Sequence, residues 1–431
     1  MSRRVVITGI GMVTSLGLTA ADTWAEMLAG GCGIGPIASF DASGLPTRVG
    51  GEVKKFRARD YVDNVKNLKV MTPAVQYGMA AVKLAFDEAK LGGAGLDNER
   101  FGIAVGAGHA TGESADLVPA IEASTAPDGS FDLVRFGREG LGAINPLWLL
   151  RGLSNNVLGF GSARLDAQGW NTNLCTSGAS GLMAIGDAAV AIASGRADVV
   201  IAGGYDANVG PESIVRLARL GLTTTSNDAG ANASRPFDLK RDGIVPADGA
   251  AFVVLESLDH AWARKADVIA EVLGYGATND AWRLLDPDPK GDGMARAMKA
   301  ALADAEIEPS RVAAVFAHAV SNPRYDRSET LAIKSALGDH AMRVAIPAIK
   351  SSIGHTIAAS GAIAASCAAL AARESRVPPT LHLENPDPDC NLDYVTGGMR
   401  SIPSGAIMVN SSGLGGINAS LVIGPPERPG P

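Results

Sequence analysis

The sequence predicts an α/β protein whose strands lie buried beneath helices on both faces. Short runs rich in β-branched residues recur along the chain, each bounded by glycine and followed by an alanine-rich stretch of helical spacing. Several of these runs are apolar without alternation, the mark of strands covered on both sides. The composition agrees: 46% hydrophobic, 19% charged and 52 glycines is the balance of a tightly packed α/β body, not of a disordered or membrane chain. At 431 residues the chain exceeds the ~250–300 at which a single core stops growing, so two fused units are expected.

Taken in order, the first strand is RVVITG at 4–9, a β-branched run closed by glycine, and a helix is expected over 20–29. A longer helix is expected over 73–90. FGIAVG at 101–106 and DVVIAG at 198–203 are strands with apolar runs around a helix over 177–193, and AFVVL (251–255) and VIAEVLG (268–274) follow. The rest alternates: helix 293–305, strand 311–317, helix 328–337, strand 344–349, helix 356–374 and strand 407–410. Two stretches resemble each other. FGIAVGAGHATG with the Cys175 segment after it, and VAAVFAHAVSNP with the His355 segment after it, each run from a buried strand through a polar turn into a long alanine-rich helix. A duplication is the natural reading, with its boundary within 258–265, giving halves 1–257 and 258–431. The charged connections 235–241, 286–292 and 384–389 read as surface loops.

Several function classes are excluded. Net charge is −7 and no Lys/Arg cluster is interleaved with aromatics, so no footprint for nucleic acid exists. MSRRVVITGIGMVTSLG runs from two arginines into a strand without an export signal, and the longest apolar run, 358–372, falls short of the ~20 residues of a membrane span. Cys32, Cys175, Cys367 and Cys390 are far apart and show no CxxC spacing, which disfavours zinc and disulfides and fits a reducing, cytoplasmic setting. No metal site is expected.

Four segments can carry chemistry. In NTNLCTSGASGL, small and polar residues crowd Cys175 just before a helical pattern, placing the thiol on a sharp turn at a helix N-terminus, where the dipole favours thiolate. An isolated cysteine is more often packed core, and the Gly and Ser around this one reverse that preference. In VFAHAVSNPRYDRSE, His318 ends an apolar strand; in AIKSSIGHTIAASGA, Lys350 leaves a strand and His355 begins a helix. A lone histidine is usually a satisfied core residue, but two at strand exits, where α/β folds keep their sites, point to chemistry. VNSSGLGGINASL holds a glycine turn, 413–416, without the lysine of a phosphate loop; its glycines suit a close approach of backbone to substrate.

These segments, with SRPFDLKRDGIVPADGAA and VPPTLHLENPDPDCNLDYV, resemble the elongating β-ketoacyl carrier-protein synthases of fatty-acid and type II polyketide synthesis over nearly the whole chain. The resemblance implies a duplicated thiolase-like fold, layered α-β-α-β-α, working as a homodimer or paired with a related subunit, and an acyl carrier protein that presents substrates on phosphopantetheine, with no other cofactor. It assigns Cys175 as the acyl-accepting nucleophile, His318 and His355 to decarboxylation of the extender and to the enolate oxygen, Lys350 to the electrostatics of the site, and the N–H groups of Cys175 and Leu414 to an oxyanion hole. Val320, Asn322, Gly415 and Gly416 fall at positions that handle pantetheine, and Lys66, Lys69, Arg138 and Arg219 are expected to meet the acidic carrier.

The chain departs from the family after His318, where Ala319, Val320, Ser321 and Asn322 replace Gly-Thr-Ser-Thr; at Ala364, which replaces Glu; and at Leu414 and Ile417, which replace Phe and Thr. Three functions fit: a condensing enzyme, a ketosynthase-like enzyme that transfers or cyclises its acyl group without elongation, and a non-catalytic subunit that shapes a chain-length tunnel. The condensing enzyme is the leading reading; the lost hydroxyls lend weight to the second, and the retained Cys175 argues against the third.

Overall fold

The computed structural model describes residues 3–108 and 114–426. Nine strands form one sheet: β1 (Val5–Val13), β2 (Phe101–Ala107), β3 (Asn171–Leu174), β4 (Val199–Ala207), β5 (Asp248–Ser257), β6 (Ala270–Asn279), β7 (Val312–Phe316), β8 (Ala406–Gly413) and β9 (Ile417–Gly424). Their order is β3-β2-β4-β5-β1-β6-β9-β8-β7.

The order contains a repeat. In the first half β3, β2 and β4 run parallel, and β5 and then β1 join antiparallel. In the second, β7 and β8 run parallel, and β9 and then β6 join antiparallel, while Ala345 bridges Ala314 in parallel where the outermost strand would lie. Each half therefore has the order third-second-fourth-fifth-first with the same directions, which is the duplication the sequence suggested. The two first strands, β1 and β6, meet antiparallel at Val5–Ile7 and join the halves.

Five layers result. Helix α2 (Pro73–Glu88), capped by the Thr72 hydroxyl, covers the outer face of the first half. Helices α5 (Asp292–Asp304) and α6 (Pro323–Leu337) cover that of the second. Between the two half-sheets lie α3 (Ser180–Ala193) and α7 (Ser360–Glu374), which touch both sheets and each other. These two are rich in Ala, Gly and Ser, and small side chains let two sheets close on helices that are largely buried. Helices α1 (Ala20–Leu28) and α4 (Pro211–Arg219) complete the body. Among the described residues no helix is long and apolar enough to cross a membrane.

Several expectations are corrected. The strand expected at 344–349 forms only isolated bridges, because Pro347 lacks a donor for a ladder. Strand β3 was not foreseen: NTNL has no apolar run, and it is a strand because its parallel neighbour β2 supplies the ladder. The segment 235–241 is not a surface loop. Arg241 is buried against Asp326 at 3.2 Å and Asp387 at 2.8 Å, so its charges close on one another inside the fold. The polar turn expected after 106 reaches into 109–113, outside the described residues.

Candidate active site

His318 stands two residues beyond β7, where the backbone leaves the sheet through positive φ at Ala319 (39°) and Ser321 (63°). Glu329, on α6, holds this turn by accepting the His318 N–H at 2.7 Å and the Ala319 N–H at 2.8 Å. The Ser412 N–H donates to His318 Nδ1 at 3.2 Å, so in the neutral ring the proton sits on Nε2 and is free to be donated. His355 follows the short helical turn Lys350–Ile353, and its ring stands edge-on to that of His318, 5.5 Å between centroids and 87° between planes. Its Nδ1 is buried without a partner among the described residues.

Burial holds both imidazoles well below their usual range, helped by the nearby Lys350 charge and, for His318, by His355. Lys350 is itself buried, its ammonium donating to the His318 carbonyl. Burial lowers its pKa to about 8 against the opposing pull of Glu329 and Asp326. Thus the structure brings His318, His355 and Lys350 together as expected, as neutral N–H donors with one cation behind them. The rings, with Val320, Asn322, Tyr325 and Leu414, line a cavity of about 40 Å³, roughly the share of one or two waters.

Cys175 does not join them. It is exposed at the end of edge strand β3, with its sulfur 3.7 Å from the Asn173 amide nitrogen and 3.9 Å from the Gly108 carbonyl oxygen, and it lines no wall of the histidine cavity. The sharp turn lies two residues later, at Ser177 (φ 54°), and the residue it presents to His318 is Gly178. A Cβ built on Gly178 would lie 3.4 Å from His318 Cε1. Beside Gly413, which precedes Leu414, the structure places the backbone nitrogen of Gly178: a Cβ on Gly413 would lie 3.3 Å from it. The sequence pattern failed here because it located a cysteine near a turn, whereas only the backbone fixes which residue occupies the bend.

Other expected residues divide. Val320, Asn322 and Leu414 line the cavity, with the Asn322 side chain also accepting from the Arg324 N–H to cap α6. Gly415 and Gly416 do not: their positive φ values (88° and 74°) fold the turn against this chain's own residues, Gly415 N–H donating to Leu284 O and Gly416 O accepting from Asp280 N–H. Lys66, Lys69, Arg138 and Arg219 are all exposed, but only Arg219 belongs to an element lining the cavity, helix α4, which contributes Leu217. Glu329 and Asp326 were missed; one helical turn apart on α6, they face back onto the His318 turn, a spacing readable once the helix is known to start at Pro323. Among the described residues no group of three His, Cys, Asp or Glu could hold a metal.

A duplicated five-layer α/β body with paired histidines and a buried lysine at its strand exits is a thiolase-like enzyme frame. Comparisons define it further. The model of the β-ketoacyl synthase N-terminal domain matches residues 2–261, and that of the C-terminal domain matches residues 269–384. A 3-oxoacyl-[acyl-carrier-protein] synthase 2 from Coxiella burnetii is 38% identical over 98% of both chains. A β-ketoacyl synthase from Burkholderia phymatum superposes with TM-score 0.86 at 31% identity, covering 99% of this chain and all of that one. The ketosynthase of a type II polyketide system, solved with its acyl-carrier protein, gives 0.84 at 30%, with 99% and 100% coverage. The chain belongs to the β-ketoacyl synthase family, a family of acyl-transferring condensing enzymes.

Proposed function

We propose that this protein works on acyl thioesters delivered by an acyl carrier protein, in fatty-acid or secondary-metabolite assembly, and that its central step is the making of a thioester enolate between His318 and His355. The observation that carries this reading is the pair of buried imidazoles, both neutral by burial, one with Nε2–H left to donate and the other with an unpartnered nitrogen. Loss of carbon dioxide from a β-carboxyacyl thioester leaves its electron pair on the α-carbon and thioester oxygen, and N–H donors in a dry cavity hold that charge. Lys350 supplies a fixed positive potential behind them, and Glu329 fixes the His318 backbone. In a condensing enzyme the enolate then attacks a second acyl thioester.

The carbonyl of that thioester would rest on the N–H groups of Gly178 and Leu414. Val320 offers the pantetheine arm an apolar wall where a hydroxyl would bond it. Arg219, at the end of α4 beside the cavity, is the charge best placed for an acidic carrier; Lys66, Lys69 and Arg138 would act at longer range. The halves 1–257 and 258–431 are proposed as the two thiolase-like units, the first bearing the reactive turn and the second the histidines and lysine. A second copy or a related subunit would cover Phe131, Leu133, Leu149 and Leu150, large apolar side chains left exposed between β2 and β3.

The test is release of labelled carbon dioxide from malonyl carrier protein. His318→Ala and His355→Ala should each slow it by roughly a hundred- to a thousandfold, the worth of one lost oxyanion donor. Wild-type rates in both variants would remove the histidines from the mechanism.

A further inference from the structure

An acyl group that is to meet an enolate must be held beside it, and the side chain that would hold it must reach into the cavity between the two imidazoles. The residue so placed is Gly178. It follows the Ser177 bend (φ 54°), opens the turn into α3, and is the position whose Cβ would come within 3.4 Å of His318. Strand β8 has closed onto the missing side chain. A Cβ at 178 would lie 2.2 Å from the Ser412 carbonyl oxygen, a backbone atom that cannot swing aside, and the Ser411 hydroxyl pins the Gly178 carbonyl at 2.7 Å. No side chain enters at 178 unless the strand moves.

No other described residue lining the cavity replaces a thiol. Ser177 and Ser412 line it, but among the described residues neither hydroxyl is hydrogen-bonded to an imidazole, and a serine without a base is a poor nucleophile. The Tyr325 hydroxyl donates to the Leu285 carbonyl, and burial pushes its pKa up to about 12. Cys175 is outside, at the end of β3.

We infer that this chain carries no covalent acyl-enzyme and acts as a decarboxylase of β-carboxyacyl carrier thioesters, Gly178 being the residue that separates the enolate half of the chemistry from acyl transfer to the protein. The inference rests on the proposed use of His318 and His355. In the step, the bond between the α-carbon and the carboxylate breaks, carbon dioxide leaves, and the electron pair passes into the enolate whose oxygen the imidazole N–H groups hold. The α-carbon then takes a proton from water, and the thioester stays on its carrier one carbon shorter.

Two measurements on the full-length protein decide it. Incubated with malonyl carrier protein labelled in the free carboxylate, the wild type should release carbon dioxide and leave acetyl carrier; incubated with acyl carriers and no extender, its intact mass should not change. Cys175→Ala should match the wild type in carbon dioxide release within about twofold. An added acyl mass that disappears in Cys175→Ala, together with an elongated product, overturns this inference and leaves the proposed carrier-thioester function standing. Absence of carbon dioxide release, or release undiminished in His318→Ala, overturns both.

Discussion

At the scale of single residues, the two histidines are useful because they are kept uncharged. Desolvation penalises the imidazolium form, and Lys350 penalises it further, so each ring enters the reaction as an N–H donor. Acid must therefore go below the ordinary imidazole value of 6.5 before the donors change. The expected pH–rate profile has its acid limb below 6.5 and an alkaline limb near 8, where Lys350 loses its charge. Carbon dioxide release measured from pH 5 to 9 tests this, and an acid limb above 6.5 would contradict it. Stability follows the same sign. The unfolded chain protonates these rings more readily than the folded one, so their contribution is complete above 6.5 and is lost as pH falls through the depressed folded values.

At the scale of elements, the His318 turn is held from α6 and from the segment 235–241. Asp326 accepts the Phe237 and Val320 N–H groups at 3.0 Å each and pairs with Arg241, which also reaches Asp387. Burial raises the Asp326 pKa to about 6 even against Arg241, so removing that cation strands two carboxylates in a dry place. Arg241→Met should cost about 3–5 kcal/mol in urea unfolding. Arg327→Ala, which breaks the half-exposed pairs to Asp387 (3.5 Å) and Asp389 (2.8 Å), should cost about 0–1 kcal/mol. Equal losses from both would show that the Arg241 cluster is no anchor. None of this was legible in RPFDLKRDG, because a charged loop and a buried ion cluster have the same composition until a partner segment arrives.

At the scale of the whole molecule, the two halves enclose α3 and α7 and leave an apolar stretch uncovered between β2 and β3. Leu133 is 74% exposed and Leu149 69%, values costly to maintain in water for side chains of that size. Sedimentation should find a dimer or larger assembly at micromolar concentration, and Leu149→Asp with Leu150→Asp should shift it to monomer. A wild type that sediments as a monomer refutes the pairing.

The α/β class, most strands and helices, the duplication, and the grouping of His318, His355 and Lys350 were determined by the sequence itself. Local periodicity and a strand's exit depend on neighbours along the chain, and those are written in order. What only the tertiary structure decided was which atoms share a cavity. Cys175 and Gly178 are three residues apart, and both sit among small residues that permit a turn. The Ser177 bend and the approach of β8, more than two hundred residues away in sequence, determined that glycine faces the histidine while the thiol faces outward. Side-chain direction at a bend is set by long-range packing, which residue order alone does not contain.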